Sequence, residues 1–459
     1  MSEGLLGQLT GHVGGDRHRL LDDDETIRKD VPLPIPSAEE LAQTHVAPGR
    51  AAQLHTCISY QAYWKNENDG MARHARQQVR ALAATGLPLR LQSLGERIYM
   101  NEELPDGVRD LLYLEGVSSK YTAISIKQMI LDKPILLREV LCPVGIRNSM
   151  SAEAVARILK STIMYTSWER NTVHKDYIRE LTQLGQVWVP CLENKKAFVD
   201  SGLPESMVKV VPCPYDPAEH TIAAPRGKED VPAMRRFYNI GKWEPRKNQH
   251  RLLGAFLTAF TPKSKASLLI KTSDFGIGWG NYPKFVESVD FWLEQEQVKA
   301  NGWTAAHVDR LIRVIDKKLS EADMNEIHRT NNIYVSAGLG EAWDMPAFAA
   351  KMAGNKMVYV GYGGPSEYAE TTDIRVDWDK FTPVHPYYGW EKDAAWADVS
   401  VEQLASALTL AHPPSERMVP LSYCRQYGVM AVGLIMEGYI QELAQQLGCW
   451  EQLKHGGFG

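Results

Sequence analysis

The most informative part of this sequence is GEAWDMPAFAAKMAGNKMVYVGYGGPSE, from Gly340 to Glu367. It begins as a polar loop that carries the carboxylate of Glu341, continues as a short helix from about Pro346, and becomes the apolar strand KMVYVGY before a Gly-Gly turn. Loop, helix and buried strand in this order are typical of parallel sheets whose ligands lie beyond the carboxyl ends of the strands. We therefore expect Glu341 at such an edge, where it can hydrogen-bond sugar hydroxyls; an exposed, solvated loop acid gives the same pattern.

A second loop, IGKWEPRKNQ at 240–249, also follows a strand and begins a helix. It carries three cations, Lys242, Arg246 and Lys247, next to Gly241. Cations and free backbone N–H groups at the start of a helix stabilise the negative charge that develops on a diphosphate when its bond to a sugar breaks. The loop therefore predicts a diphosphate site, although a solvated basic loop has the same spacing.

Strands and helices alternate along most of the chain. The strand-like runs, in order, are CISYQAY, LPLRLQSL, TAISI, STIMYTS, QVWVPC, KVVPCP, FYNIG, ASLLIKT, RLIRVID, NIYVSAG and KMVYVGY. Such alternation favours βαβ units and parallel sheets. Gly70 lies in the first strand-to-helix turn, where it either lets the backbone approach a phosphate or sugar or only relaxes the turn. In the helix that follows, the pattern predicts that His74 and Gln77 lie on the exposed polar face.

The length of 459 residues exceeds the usual size of one hydrophobic core and predicts two domains. We expect an extension at 1–50, a first domain at 51–222, a second at 232–412 and a C-terminal helix at 413–459 that returns to the first domain.

Composition excludes several classes of protein. A formal charge of −5 argues against wholesale binding of nucleic acid, and 44% hydrophobic residues are ordinary for a globular chain. The six cysteines form no CxxC pair, which argues against a zinc site or a disulfide scaffold. No apolar run reaches the ~18 residues of a membrane span, and the start MSEGLLGQLTGH lacks the features of a signal peptide. We expect a cytoplasmic protein without a transmembrane segment.

Further acids give weaker signals. Glu169, after the strand STIMYTS, either lines a cleft or pairs with Arg170, and Glu367 is a second possible cleft residue. Asp377 and Asp379 match the D-x-D pattern of metal-dependent sugar transferases, but three letters match easily by chance and we favour an exposed loop. The histidines show no metal-ligand spacing, so we predict no metal.

From about residue 55 to the C-terminus, the chain resembles the retaining GT-B glycosyltransferases of family four, which include sucrose synthase and bacterial mannosyltransferases. IGKWEPRKNQHRLLGAF is similar to the family's phosphate-binding pattern G-R-x-x-x-x-K-G, and GEAWDMPAFAAKMAGNKMVYVGYGGPSEY to EGFGLPxxEAMAxGxPVVxxxxGGxxE. DGMARHARQQVRALAATGLPLRL resembles the first glycine loop and helix, and QVWVPCLENKKAFVDSGLPESMVKVVPCPYDP the segment that closes the first domain. The resemblance implies two Rossmann-like, doubly wound parallel-sheet domains that face a cleft.

The resemblance also implies site residues. Lys242 and Lys247 stand at the family's phosphate-binding Arg and Lys, and Glu341 is the first Glu of its E-x7-E motif. The second Glu, which holds the ribose, is replaced by Ala349, and the glycine after the lysine is replaced by Asn248. The predicted catalytic residues are Glu341, Lys247 and Lys242, and the predicted donor-binding residues are Gly70, Gly241, Lys242, Arg246, Lys247, Glu341, Ala342, Trp343, Asp344 and Met345.

The expected activity is transfer of a sugar from a nucleotide-diphosphate sugar with retention of configuration and without a metal or other cofactor. The acceptor is left open among a polysaccharide, a small molecule, a lipid, a protein and a modified nucleobase, and the oligomeric state is left open too. Because Ala349 replaces the second Glu of the motif, a second hypothesis stays open, namely a sugar-nucleotide- or glycan-binding protein with reduced turnover. A glycan phosphorylase is disfavoured because no pyridoxal-phosphate lysine signature is apparent.

Overall fold

The computed structural model describes residues 58–62, 70–93, 124–130, 151–215, 234–272, 283–385, 393–415, 417, 419 and 421–454. The predicted N-terminal extension at 1–50 and the stretch 223–231 between the two predicted domains lie outside these residues. We call 58–215 the first half and 234–415 the second half.

The first half contains a six-stranded parallel sheet in the order β2-β1-β3-β4-β5-β6. This order is the flavodoxin-like doubly wound order with one strand added. Its strands are β1 (Ile58–Ala62), β2 (Leu89–Ser93), β3 (Ile124–Ile130), β4 (Thr162–Ser167), β5 (Gln186–Val189) and β6 (Val208–Val210). Its described helices are α1 (Gly70–Ala83), α2 (Ala152–Lys160), α3 (Lys175–Leu181), α4 (Leu192–Asp200) and the 3₁₀ turn Glu205–Met207.

The second half contains another six-stranded parallel sheet, in the order β12-β11-β10-β7-β8-β9. Renumbered from its first strand, this is the Rossmann order, and it reverses between β7 and β10. Its strands are β7 (Arg235–Ile240), β8 (Ala266–Lys271), β9 (Ile312–Ile315), β10 (Ile333–Ser336), β11 (Lys356–Val360) and β12 (Ile374–Val376). Its described helices are the 3₁₀ turn Pro245–Lys247, α5 (Gln249–Ala259), α6 (Phe285–Leu293), α7 (Glu296–Ala300), α8 (Ala305–Leu311), α9 (Glu321–Thr330), α10 (Met345–Met352), α11 (Pro365–Tyr368) and α12 (Val401–Leu410).

The predicted fold class, α/β with two Rossmann-like doubly wound parallel sheets, is therefore what the structure has. Central strands are largely buried because helices cover both faces of each sheet. In β10, for example, all four residues, IYVS, are buried. The domain boundaries at 51–222, 232–412 and 413–459 stay a prediction.

The chain ends in three helices, α13 (Leu421–Tyr427), α14 (Val429–Gln446) and α15 (Trp450–Lys454). Val432, Met436 and Ile440 of α14 belong to the same core as β1 and α1. At Gly433 a Cβ would lie 2.2 Å from the carbonyl oxygen of Ala81 in α1, so the two helices touch backbone to backbone there. Only glycine permits this approach.

The prediction of an exposed polar face on α1 is wrong for two residues. Gln77 is fully buried and His74 is only 3% exposed. His74 packs against Tyr165 of β4, with ring centroids 4.6 Å apart, and α14 packs on α1 at Gly433. Because both the sheet and α14 cover α1, its polar residues are enclosed. Burial lowers the pKa of His74 to about 3, so the imidazole is neutral.

An antiparallel hairpin that the sequence did not predict follows β12. It consists of β13 (Lys380–Pro383) and β14 (Ala395–Asp398). The amide of Ala397 in β14 donates to the carbonyl of Leu339 at 3.0 Å, so the hairpin lies against the loop that precedes Glu341. In the described part of the chain, no helix is both long and apolar enough to cross a bilayer.

Candidate active site

Glu341 and Lys247 meet at the point where the strand order of the second sheet reverses. Glu341 follows β10 and Lys247 follows β7, and these strands are neighbours in the sheet. The ammonium of Lys247 lies 2.8 Å from Oε2 and 2.7 Å from Oε1 of Glu341. Glu341 is only 4% exposed. Two of the three predicted catalytic residues are thus in contact at the edge where α/β sheets bind ligands.

The electrostatics of this pair keep both groups charged. Burial acts to raise the pKa of Glu341, but the cations of Lys247 and Arg246 outweigh it and hold the pKa below its ordinary value. Burial acts to lower the pKa of Lys247, whereas the Glu341 carboxylate raises it above its ordinary value. At neutral pH the site therefore holds an ionised carboxylate against an ammonium.

Arg246, predicted to bind the donor, is surrounded by carboxylates. Its Nη1 lies 3.1 Å from Oε2 of Glu341 and donates to the carbonyl of Gly340 at 2.8 Å. Its Nη2 donates to Glu244 at 3.0 Å, and its Nε lies 3.0 Å from Glu169. Arg246 therefore anchors Glu341 and the loop before it. Glu244 is only 4% exposed and is a site residue that sequence reasoning missed. An acid next to three cations in a loop is usually part of an exposed ion pair, so nothing in the sequence indicated that it is buried.

The backbone between Lys247 and α5 requires a residue that tolerates positive φ. Asn248 has φ 61° and ψ 26°, which is the left-handed region. Asparagine and glycine are the residues that enter this region most readily. The replacement of the family's glycine by Asn248 thus keeps the local conformation, and its side-chain amide also donates to the carbonyl of Ala337 at 3.2 Å.

Asp344 is the second left-handed residue, with φ 59° and ψ 72°, directly before α10. It stands where the pattern EGFGLP has its second glycine. Its Oδ2 accepts a hydrogen bond from Ser336, and burial together with the nearby Glu341 carboxylate raises its pKa to about 6. Strained backbone in non-glycine residues is concentrated at functional sites, and here it adjoins the predicted donor site.

The Gly-Gly turn holds the Glu341 loop from the other side. Gly364 N donates to the carbonyl of Glu341 at 2.8 Å. Gly363 has φ +83°, and a Cβ there would lie 2.1 Å from the same carbonyl oxygen. Both glycines are needed for this packing.

The remaining donor-binding candidates of the loop differ in their surroundings. Ala342 and Trp343 are buried, and Met345 is the first residue of α10. The indole of Trp343 packs against Phe348 and Tyr368, with ring centroids 5.3 Å and 5.1 Å apart. Trp343 is therefore part of the core, and only its backbone adjoins Glu341.

Both cleft candidates lie where the two halves meet. Glu169 follows β4 of the first half and contacts Arg246 of the second. A Cβ on Gly340 would lie 2.2 Å from the Glu169 carbonyl oxygen, so the two loops touch. Glu367 accepts a hydrogen bond from Leu192 N at 2.7 Å, at the start of α4. Glu169 thus joins the charged cluster, and Glu367 connects the halves farther along the chain.

Other candidates are not brought into the cluster. Lys242 is exposed and makes no ion pair with any residue that the structure describes. Gly241 adjoins the side chain of Lys247, because a Cβ on Gly241 would lie 3.3 Å from Lys247 Cδ. Gly70 is the first residue of α1 and has no described contact with the cluster. Ala349 is buried on α10.

Asp377 and Asp379 lie in an exposed loop between β12 and β13, as expected from the sequence. The side chain of Asp377 is 82% exposed and pairs with Arg375 at 2.9 Å. Among the residues described, no three His, Cys, Asp or Glu side chains are grouped so as to hold a metal ion.

No protein-family model matches the chain, and no curated protein matches it. Solved structures do. The trehalose 6-phosphate synthase of Burkholderia multivorans is 12% identical with a TM-score of 0.52, and the match covers 85% of this chain and 100% of that one. An α,α-trehalose-phosphate synthase (UDP-forming) of Burkholderia vietnamiensis is 11% identical with a TM-score of 0.52 over 85% and 100% of the two chains. At such identities the likeness concerns the fold, and the chain has the GT-B fold of these glycosyltransferases.

Proposed function

We propose that this protein is a retaining GT-B glycosyltransferase of the family-four type, which moves a sugar from a nucleoside diphosphate to an acceptor. The observation that carries the proposal is the contact of Lys247 with Glu341 beside the start of α10, at the reversal point of a Rossmann-like sheet. That place combines a cation, helix N–H groups and a carboxylate, which are the groups that a sugar diphosphate needs.

The diphosphate would bind between Lys247, Lys242 and the backbone N–H groups of 342–345. The ammonium of Lys247 has three N–H donors and contacts both carboxylate oxygens of Glu341. One N–H therefore remains to donate to a phosphate oxygen. Exposed Lys242 lies five positions earlier on the same loop and is free of ion pairs within the described residues, so it can swing toward the phosphates.

In the reaction, the bond between the anomeric carbon and the diphosphate oxygen breaks, and its electron pair goes to the diphosphate. An acceptor oxygen forms the new bond on the same face of the sugar, and its proton passes to the leaving phosphate oxygen. Ionised Glu341 accepts hydrogen bonds from the sugar hydroxyls and stabilises the positive charge that develops on the ring. Contacts between the halves, such as Glu169 with Arg246, exclude water and limit donor hydrolysis.

Several finer points belong to the same proposal. We take UDP sugars as the first donors to test, because one solved structure of this fold is described as UDP-forming. We propose a reaction without a metal, in the cytoplasm, and with an acceptor from one of the classes left open by the sequence.

Ala349 supports a second candidate, a sugar-nucleotide-binding protein with reduced turnover. The helix α10 presents a methyl group where the family's pattern has a carboxylate, and Ala349 is 8% exposed. The intact Lys247–Glu341 contact favours the enzyme.

The test is release of nucleoside diphosphate from a panel of UDP, GDP and ADP sugars, with and without a lysate as acceptor source. We expect release by the wild-type protein and its loss in Glu341→Gln and Lys247→Met. Glu294→Gln, a change on an exposed side chain, is the matched control and should keep full activity. Tight binding of a sugar nucleotide without any release would support the binding protein, and absence of both binding and release would refute the proposal.

A further inference from the structure

Lys271 is the last residue of β8. In the register of the sheet it lies beside Ile240, the last residue of β7. The amide of Gly241 donates to the carbonyl of Lys271 at 3.0 Å. Lys271 is therefore at the C-terminal edge of the sheet, one strand away from the loop that carries Lys247.

The ammonium of Lys271 is buried, and no carboxylate of the described residues is in contact with it. The residue is 7% exposed, and its Nζ donates to the carbonyl of Thr272 at 2.8 Å. It forms no ion pair with any residue of the described chain. Burial lowers its pKa below the ordinary value, although the charge of Asp316 acts in the opposite direction. Burying a cation with so few partners is costly. As far as the described residues go, two N–H donors at this edge of the sheet are thus left for another acceptor.

The order of the strands fixes what that acceptor would be. Glu341 follows β10, Lys247 follows β7 and Lys271 ends β8, in the spatial order β10-β7-β8. Neighbouring strands are about 4.8 Å apart, so Lys271 is about 10 Å from the strand that precedes Glu341. A donor with its sugar at Glu341 and its diphosphate at Lys247 then has its nucleoside at β8.

The opposite direction along the edge is occupied. On the β11 side, the turn of Gly363 and Gly364 packs on the backbone of Glu341, and a Cβ at either glycine would lie 2.1–2.3 Å from that loop. Glu367 then joins this region to α4 of the first half. Among the described residues, none of these contacts lies on the edge toward β8.

We propose that Lys271 binds the nucleoside part of the donor, by donating hydrogen bonds to ribose hydroxyl or base carbonyl oxygens. This inference rests on the proposed function. It assigns Lys271 a role in selecting a nucleotide over a bare diphosphate, while Lys247 binds the phosphates.

The experiment is calorimetric titration of wild type, Lys271→Met and Lys247→Met with pyrophosphate and with the tightest of UDP, GDP and ADP. For Lys271→Met we expect about tenfold weaker nucleotide binding and unchanged pyrophosphate binding, since one or two hydrogen bonds are lost at the nucleoside. Lys265→Met is the control, because Lys265 is exposed at the opposite end of β8 and should change neither affinity. Unchanged nucleotide binding, or an equal loss for both ligands, would overturn the assignment.

Thermal unfolding without ligand separates binding from a structural role. Removing a poorly paired buried ammonium should leave the Tm of Lys271→Met equal to or above that of wild type, whereas a structural cation would lower it. A lower Tm therefore overturns the inference. If Lys247→Met binds neither pyrophosphate nor the nucleoside diphosphate while Lys271→Met binds both as wild type does, the inference fails and the proposed function stands. If wild type binds no nucleotide at all, both fail.

Discussion

At the scale of single residues, the site depends on a buried cluster of two cations and their carboxylates. The Glu341 carboxylate forms ion pairs with both Lys247 and Arg246. The pair of lysine and acid was visible in the sequence through its place after two strands. The role of Arg246 was not, because its partners come from three separate segments, represented by Glu169, Glu244 and Glu341.

We predict that Glu341→Gln lowers kcat at least 100-fold, because a neutral amide stabilises the developing positive charge of the sugar poorly. It should also reduce the free energy of unfolding by about 3 kcal/mol, since Lys247 and Arg246 lose a buried counter-ion. Steady-state nucleotide release and urea denaturation measure the two effects. Wild-type turnover in the variant would exclude Glu341 from the reaction.

Asp344 should give the fold a pH dependence. Its pKa is about 6 in the folded protein and about 3.9 in an unfolded chain, so folding favours the protonated carboxyl. The stabilising effect of that proton is complete below about pH 4 and is lost as the pH rises through 6. Asp344→Asn should therefore gain up to about 3 kcal/mol over wild type between pH 4 and pH 7, measured by urea denaturation at both pH values. A difference that does not change with pH would contradict the raised pKa.

At the scale of elements, the strands were the most predictable part. The runs ASLLIKT, NIYVSAG and KMVYVGY each contain a strand of the second sheet, and FYNIG overlaps β7, which begins two residues earlier. Short apolar runs between helices leave few alternatives to a strand. The hairpin of β13 and β14 was missed because its strands, KFTP and AWAD, have only four residues each. They are too short to show an alternation of polar and apolar residues. The burial of His74 and Gln77 was missed because the elements that enclose α1 lie far along the chain, with β4 beginning at Thr162 and α14 at Val429.

The contact of α14 with α1 can be tested by two glycines of the same helix. Gly433→Ala should lower the free energy of unfolding by about 1–3 kcal/mol, because the new methyl group meets the carbonyl of Ala81. Gly438→Ala is the matched control. A Cβ there has nothing within 4 Å, and alanine should stabilise the helix by about 0.5–1 kcal/mol. Urea denaturation gives both values, and equal effects would mean that α14 does not pack on α1 at Gly433.

At the scale of the whole molecule, the halves meet at polar contacts around the charged cluster. Asn171 N donates to the carbonyl of Ala395 at 3.1 Å, and Ala395 N donates to the Asn171 side chain at 2.7 Å. Together with Glu169 and Arg246, these bonds join the hairpin and the cation loop to the first half. No sequence pattern predicts these hydrogen bonds and ion pairs between the halves, because they depend on how the two sheets face each other.

Glu169 places a negative charge next to the proposed diphosphate site. Glu169→Gln should therefore bind nucleoside diphosphate about threefold more tightly at low salt, because one like charge is removed while Arg246 stays. The gain should shrink in 0.5 M NaCl, where exposed charges are screened. Calorimetry at the two salt concentrations measures it, and weaker binding by Glu169→Gln would show that Glu169 supports the site instead of opposing the anion.

The most direct measurement of the central claim is a crystal structure of the protein soaked with the nucleoside diphosphate that it binds most tightly. We expect a diphosphate within hydrogen-bonding distance of Lys247 Nζ and of the backbone N–H groups at 342–345, with Glu341 beside the position of the sugar. A diphosphate bound elsewhere on the chain, with the contact of Lys247 and Glu341 left untouched, would contradict it.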